Sequence, residues 1–484
     1  MKRIFSHPFA ALAAGLCLRL LFVLKFPANS GDTVLYEQIA TNWLKRHAYA
    51  ITIGGEITPV DVRMPGYPAF LALVYALTGR TGADARFWVM LAQIGVDLLS
   101  CSVIARLAAL LACASEASTP NKRVSSIALW LAVLCPFTAN YTAVPLTETF
   151  AIFWTVLACC VLVLALRRVN QPAFLVTGSH LPLSKSVEYA ALAAGLIVGA
   201  GTLFRPETPI LLVAPAIVFG GVLFARRDYR RWFWVCLAMA LGCFMILSPW
   251  ALRNLVTLGE AQFLAPKNLN LPGELVPYGF MAWEKTWLYR VRDCYLVSWK
   301  LDEESIDVEE IPARAFDTPE EKQRVAAILE QYNDDLTLTA DEDAVFAQLA
   351  LERTARHPLR TYAWLPAARA VTIWFTPRIE LLPISGHVFP LAQMREDDPV
   401  DQEATSLFFV LNLFYVSLCI WGATQLWRSN PATRHGVVFL ALFIVLRTAF
   451  LTTLETPEPR YVLVCFPALI ALGAQVFARC TQAH

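Results

Sequence analysis

Asp32 stands just beyond a long apolar run, in Pro27-Ala-Asn-Ser-Gly-Asp-Thr-Val-Leu-Tyr-Glu-Gln-Ile-Ala40, and just before an amphipathic stretch. A carboxylate so placed can act as a general base, taking a proton from a reacting hydroxyl. It can equally serve only as a helix N-cap, accepting from the free N–H groups of a first turn. Other polar groups stand at the ends of apolar runs: Arg63, Glu148, Arg205 with Glu207, Arg253, and Arg460 within Glu455-Thr-Pro-Glu-Pro-Arg-Tyr461. The planar fork of arginine grips a phosphate through two parallel hydrogen bonds, which makes Arg205, Arg253 and Arg460 candidate phosphate ligands. Each taken alone is as well read as a helix-end arginine snorkelling to lipid headgroups. Asp32, Glu148 and Glu207 are the carboxylates to which a divalent metal would be open. No His cluster supports a transition metal, and the expected cofactor set is empty.

The elements that must position these residues are membrane helices. The chain of 484 residues is 57% hydrophobic and 16% charged, against roughly 25% charged residues in soluble domains, and its mean hydropathy is +0.49. The first run, 8–26, is long enough to cross the hydrocarbon core, which takes about 20 residues. It exceeds the apolar core of a signal peptide and is followed by no small-residue cleavage site, so it is expected to remain as an anchor. Lys2 and Arg3 before it place the N-terminus in the cytoplasm and Asp32 outside. Further spans are expected at 87–112, 124–141, 150–166, 189–203, 209–224, 232–250, 407–427, 436–454 and 461–478. Basic residues such as Arg167, Arg168, Arg226 to Arg231, Arg428 and Arg434 then fall inside, and the polar clusters above fall outside. Segments 34–44 and 69–77 are expected to lie on the membrane surface. The stretch 353–375, punctuated by Arg356, Arg360 and Arg369, is a third surface helix or a tilted span, giving ten spans or eleven.

The expected fold class is thus an all-α polytopic membrane protein. Three parts are expected: an N-terminal transmembrane module, 1–252, containing the first external loop 28–85; an external polar loop domain, 253–357; and C-terminal helices, 358–484. Between Leu301 and Asp343 stand 15 acidic residues against Arg314, Lys322 and Arg324, as in a solvated external domain or a lid. Trp283, Trp287, Tyr289, Tyr295 and Trp299 ahead of that block suit a membrane interface or a sugar face. Of 12 cysteines nearly all fall in apolar runs, so neither a disulfide framework nor a Cys-based metal site is expected. A net charge of +1 gives no basic face for nucleic acid.

Taken together, Gly-Asp-x3-Tyr-x2-Ile-Ala (31–40), Arg-x-Pro-Gly-Tyr-Pro (63–68), Leu-Thr-Glu (146–148), Phe-Arg-Pro-Glu (204–207), Pro-Trp-Ala-Leu-Arg-Asn (249–254) and Pro-Arg-Tyr-x4-Phe-Pro (459–467) resemble the bacterial family 39 glycosyltransferases. These belong to the GT-C superfamily and are relatives of protein mannosyltransferases and aminoarabinose transferases. The resemblance covers most of 1–250 and the last span. It implies a GT-C-like bundle of about 10–11 transmembrane helices and Asp32 as the catalytic base or its orienter. It also implies a substrate-binding set of Tyr36, Arg63, Tyr67, Glu148, Arg205, Glu207, Arg253, Arg460 and Tyr461. Arg63-Met-Pro-Gly stands where the aminoarabinose transferases carry Lys-Pro-Pro, which favours a plainer hexose or pentose.

The implied reaction is sugar transfer from a polyprenyl-phosphate-linked donor to a lipid, glycan or protein acceptor, at the external face of the cell membrane and with inversion. Arginines would neutralise the leaving phosphate. No P-loop or Rossmann fingerprint is present to hold a nucleotide. The competing reading is a transporter or flippase of a lipid-linked saccharide, in which polar residues mark a path at the bilayer midplane. An O-antigen-type ligase, a third reading, lacks the Asp in the first external loop.

Overall fold

The computed structural model describes residues 7–112, 121–170, 183–266, 274–376, 381–384, 399–429 and 431–478. The chain divides into two compact units. One comprises Met1–Ala265, Ile379–Ile444 and Leu463–His484, the other Pro266–Arg378 and Val445–Val462. It is an all-α, multi-pass integral membrane protein. Among the described residues seven helices are long and apolar enough to cross a membrane: Pro8–Lys25, Gly82–Ala112, Glu148–Val169, Tyr229–Leu258, Pro399–Ser429, Pro431–Leu451 and Pro459–Phe477. The other three of the ten expected spans are not single helices of that length. Lys122–Val133 and Pro136–Ala143 form one pair bent by 48°, and Ser186–Thr202 and Ile210–Ala225 are shorter apolar helices. The bend falls where Pro136, at the first helical position of the second piece, cannot donate back into the first.

In the first unit the helices run α1 (Pro8–Lys25), α2 (Gly31–Arg46), α3 (Gly66–Thr78), α4 (Arg86–Ala112), α5 (Lys122–Val133), α6 (Pro136–Asn140), α7 (Glu148–Asn170), α8 (Leu183–Thr202), α9 (Ile210–Ala225) and α10 (Tyr229–Leu258). α8 and α10 touch backbone to backbone. A Cβ on Gly195 would meet the Met239 carbonyl oxygen at 2.1 Å, and one on Gly242 the Leu192 oxygen at 2.4 Å. Small residues at such a crossing are how membrane helices gain contact without a hydrophobic driving force. Arg226 Nη1 donates to the Val169 carbonyl, which puts the C-terminal ends of α7 and α9 together. By helix polarity the N-terminus of α7 and the C-termini of α8 and α10 come to the opposite end.

The loop after α1 holds an element that reads in the sequence as a polar stretch. β1 (Ala50–Ile53) and β2 (Glu56–Pro59) pair antiparallel with Ile53 opposite Glu56. Gly54 and Gly55, at φ 58° and 90°, make the two-residue turn, a geometry whose positive φ values favour Gly-Gly.

The second unit contains α11 (Tyr278–Lys285), α12 (Val291–Cys294), α13 (Pro319–Asp335), α14 (Ala340–Arg356) and α15 (Leu365–Phe375). Its core holds Phe280, Trp283, Trp287, Tyr332 and Phe346. Trp283 and Trp287 are thus core side chains, 0% and 1% exposed, and do not form the interface or sugar face read from the sequence; Tyr295 and Trp299 are exposed. The Asp343 carboxylate accepts from the N–H groups of Gly279 and Phe280 and so caps α11. Arg353, fully buried, donates to Thr286 Oγ1, Glu321 Oε1 and the Arg314 carbonyl, and Arg360 holds Asp317 through two bonds of 2.6 and 2.9 Å. The arginines that made 353–375 awkward as a span are therefore internal ties.

Glu284, 2% exposed, lies in this core with Ser298 donating to it. Burial pushes its carboxyl up to about 8; Ser298 and Arg369 oppose the shift, and Glu455 adds to it. A raised carboxyl favours the fold fully below its unfolded value near 4.5, and that contribution is lost as pH rises toward 8. Glu284→Gln should therefore match the native chain at pH 4.5. At pH 8.5 it should be more stable, by at most about 5 kcal/mol at ~1.4 kcal/mol per pH unit. Thermal unfolding of both proteins at the two pH values checks this.

Candidate functional site

Asp32 lies in the first turn of α2, and the cap position belongs to Ser30, whose backbone N–H donates to Thr33 Oγ1 at 3.2 Å. A carboxylate in a first turn is favoured by the helix dipole, but the Asp32 side chain serves another bond. Its Oδ1 accepts from Arg63 Nη2 at 2.5 Å, and the two side chains are 33% and 24% exposed. Arg63 comes from the end of the hairpin loop. Its backbone carbonyl accepts from Tyr49 OH at 2.7 Å, and its guanidinium lies 5.9 Å from the centre of the Tyr36 ring, one turn along α2.

Tyr36 joins this pair to a second charged cluster. Burial, then the Asp32 charge, raise its phenol well above the ordinary value, with Arg63 and Arg205 opposing and Glu148 adding. The same ring therefore senses all four charges. Arg205 Nη1 is 3.6 Å from Glu148 Oε1, and Arg205 Nε is 3.2 Å from Glu207 Oε1. Glu148 opens α7 and its side chain is 3% exposed, while Arg205 and Glu207 sit on the turn after α8 at 14% and 18%. Three carboxylates and two guanidiniums thus occupy one end of the bundle. Among the described residues no group of three His, Cys, Asp or Glu is arranged to hold a metal ion.

Glycine and aromatic rings bring the 63–68 and 204–207 motifs together. Gly66 N–H donates to the Leu203 carbonyl at 2.6 Å, and a Cβ on Gly66 would stand 2.6 Å from that oxygen and 2.8 Å from the Phe204 ring. Phe204 stacks on Phe150 at 4.7 Å, and Phe150 meets Tyr67 edge-on at 6.1 Å. Tyr67, fully buried, packs against Tyr36 at 5.1 Å and donates its hydroxyl to Gln93 Oε1 at 2.7 Å. Gln93 in turn donates to the carbonyls of Thr142 and Val144, fixing the turn that precedes Glu148. We expect Gly66→Ala to part α3 from Leu203. Overpacking of this kind costs about 1–3 kcal/mol, and the substitution should lower substrate turnover more than it lowers the unfolding temperature.

Arg253 is already engaged. It donates to the carbonyls of Val60 and Tyr49 at 2.8 and 2.6 Å and to Asn254 Oδ1 at 2.9 Å, and it stacks between the Tyr49 and Trp250 rings. Its geometry is that of a clamp on the hairpin loop carrying Arg63. Arg460 and Tyr461 belong to the second unit, where Glu458 takes Arg460 Nε at 2.5 Å and the Tyr461 hydroxyl at 2.6 Å.

Sequence reasoning missed several partners: Gln93 behind Tyr67, Arg86 paired twice with Glu37 at 2.7 and 2.9 Å, and the fully buried pair Arg19–Asp97 at 2.6 Å. An ionisable residue inside each of two apolar runs is the signal that could have found the last of these.

No family model and no curated protein matches the chain. Over 96% of its length it is similar to the oligosaccharyltransferase AglB from Archaeoglobus fulgidus, in complex with an inhibitory peptide and a dolichol-phosphate. The identity is 13%, the TM-score is 0.50, and 50% of that protein is covered. The A. fulgidus oligosaccharyltransferase tethered to an acceptor peptide is matched at 14% identity and TM-score 0.49, over 96% of this chain and 49% of the other. ArnT from Cupriavidus metallidurans bound to undecaprenyl phosphate is matched at 12% and TM-score 0.40, over 96% and 77%. The chain spans about half the length of the archaeal proteins. At these identities the likeness is one of fold.

Proposed function

We propose that the protein is a membrane glycosyltransferase of the family 39 kind. It would move a hexose or pentose from a polyprenyl-phosphate-linked donor to a lipid, glycan or protein acceptor at the external face of the cell membrane. The observation that carries the reading is the Asp32–Arg63 pair beside Tyr36, with Arg205 between Glu148 and Glu207 at the same end of the bundle. The GT-C-type fold and the dolichol-phosphate complex of the archaeal relative support a lipid-phosphate donor.

Asp32 takes the acceptor's hydroxyl proton as its oxygen bonds the anomeric carbon. The bond from that carbon to the phosphate oxygen breaks, and the electron pair leaves with the phosphate. Displacement from the opposite face inverts the centre. Arg63 and Arg205 meet the charge that grows on the leaving group, while Arg253 holds the loop behind Arg63. No step calls for a metal. A transporter would use charges along a path at midplane. The intramembrane charges described above, Arg19 and Asp97, are closed on each other and fully buried.

The test is transfer from a synthetic polyprenyl-phosphate sugar by the purified chain in nanodiscs. Arg205→Ala should raise the donor KM by about tenfold or more, and Arg205→Lys should recover part of it, since Lys keeps the charge but loses the fork. Wild-type donor KM in Arg205→Ala removes the phosphate role. Vectorial movement of the intact donor without transfer replaces the enzyme with a flippase.

A further inference from the structure

Residues Arg360–Trp364 form a single wide π turn that runs into α15. Pro366 has no N–H to give the carbonyl one α-turn back, which accounts for the wider register there. α15 buries Leu365, Arg369 and Ile373, spaced by four, along one face. That face is pinned. Arg369 donates to the carbonyls of Lys285, Leu288 and Thr452 at 2.7, 2.9 and 3.3 Å. Trp374 gives its indole N–H to Thr448 Oγ1 at 2.9 Å, and Ile373 packs with Leu451 and Val462. Thr448 and Leu451 lie at the C-terminal end of Pro431–Leu451, a helix long and apolar enough to cross a membrane, whose apolar window is 39% buried.

The opposite face is apolar and open: Leu359, Tyr362, Trp364 and Val371 are 73%, 75%, 73% and 59% exposed, and Phe375 is 37% exposed. From Thr361 to Thr376 the one charged residue is Arg369, which is turned inward. The helix cannot roll this stripe out of water without carrying a guanidinium outward.

We propose that this face is seated in the lipid bilayer's interface, with Tyr362 and Trp364 at headgroup level and Val371 and Phe375 at the edge of the acyl chains. α15 packs against the end of the apolar helix Pro431–Leu451, through Thr448, Leu451 and Thr452, where a spanning helix leaves the hydrocarbon core. Tyr and Trp are enriched at that depth because each carries an apolar ring and a polar tip.

The test places a nitroxide singly at Val371, Phe375 and Ala367, with the exposed Gln348 of α14 as the aqueous reference. The full chain is used in lipid nanodiscs, in a background without Cys17, Cys113, Cys236 and Cys480. Power saturation against oxygen and a water-soluble nickel chelate should give positive depth parameters at Val371 and Phe375 and a negative one at Gln348. Nickel accessibility at Val371 equal to that at Gln348 places the face in water and overturns the proposal. Shielding from both relaxants means that protein covers it, and overturns it too. Ala367 lies on the same helix, so the result does not depend on one variant folding.

Discussion

Asp32→Asn should lower sugar transfer by roughly 10² or more, the scale of a lost general base, while yield, monodispersity and unfolding temperature hold. The substitution keeps an oxygen where Arg63 Nη2 now donates, so the contact that orders the hairpin loop survives. It also leaves the helix start intact, because the cap is Ser30 and not Asp32. What Asn removes is the negative charge in the first turn, worth about 0.3–1 kcal/mol against the dipole, together with the ability to accept a proton. A structural Asp32 would show the stability loss without the rate loss; a base shows the reverse. Transfer near the native rate in Asp32→Asn would send the search for a base to Glu148, whose side chain is 3% exposed and faces Arg205.

Hydropathy and helix-end polarity carried the apolar segments, seven of which are helices long enough to cross a membrane among the described residues, and the grouping of Asp32, Arg63, Glu148, Arg205 and Glu207, because a segment's length and its polar ends are properties of consecutive residues. What lay outside such reading depends on side chains meeting across helices. The Gln93–Tyr67 bond and the Gly66–Leu203 contact join residues 26 and 137 positions apart. The hairpin was signalled by Gly54-Gly55 between two Ile-Thr runs, yet its strands are four residues each and easily pass for loop. Trp283 and Trp287 sit in a segment polar on average, where composition suggests an interface, but a small unit needs large rings for its core and takes them. Arg253 looked like a ligand by its place at a helix end. The three bonds it makes to the hairpin and to Asn254 show how a helix-end arginine can be spent on holding a loop.

The second large effect is expected at Arg19 and Asp97, charges that a hydropathy average hides. Arg19 Nε donates to Asp97 Oδ2 at 2.6 Å, and Nη1 donates to the carbonyls of Gly15 and Val133 at 3.0 and 2.6 Å. Val133 is the last residue of α5, so its carbonyl has no helical partner of its own at the break before Pro136. The guanidinium thus closes the bent span from which α6 leads to the buried turn ahead of Glu148. Removing one member of a buried pair costs about 3–5 kcal/mol, and the two directions should differ. Arg19→Met leaves a carboxylate that can neutralise itself by binding a proton, whereas Asp97→Leu leaves a guanidinium that cannot shed one. Asp97→Leu should therefore be the worse of the two in denaturant-induced unfolding in detergent. The double variant Arg19→Met/Asp97→Leu should regain most of the loss, because neither charge remains. A deficit of about 1–3 kcal/mol should persist from the unanswered Val133 carbonyl, and with it a looser turn and a lower rate of transfer at unchanged donor KM. Additive losses in the double variant would mean that the two side chains act separately and that the bend is held by its own packing.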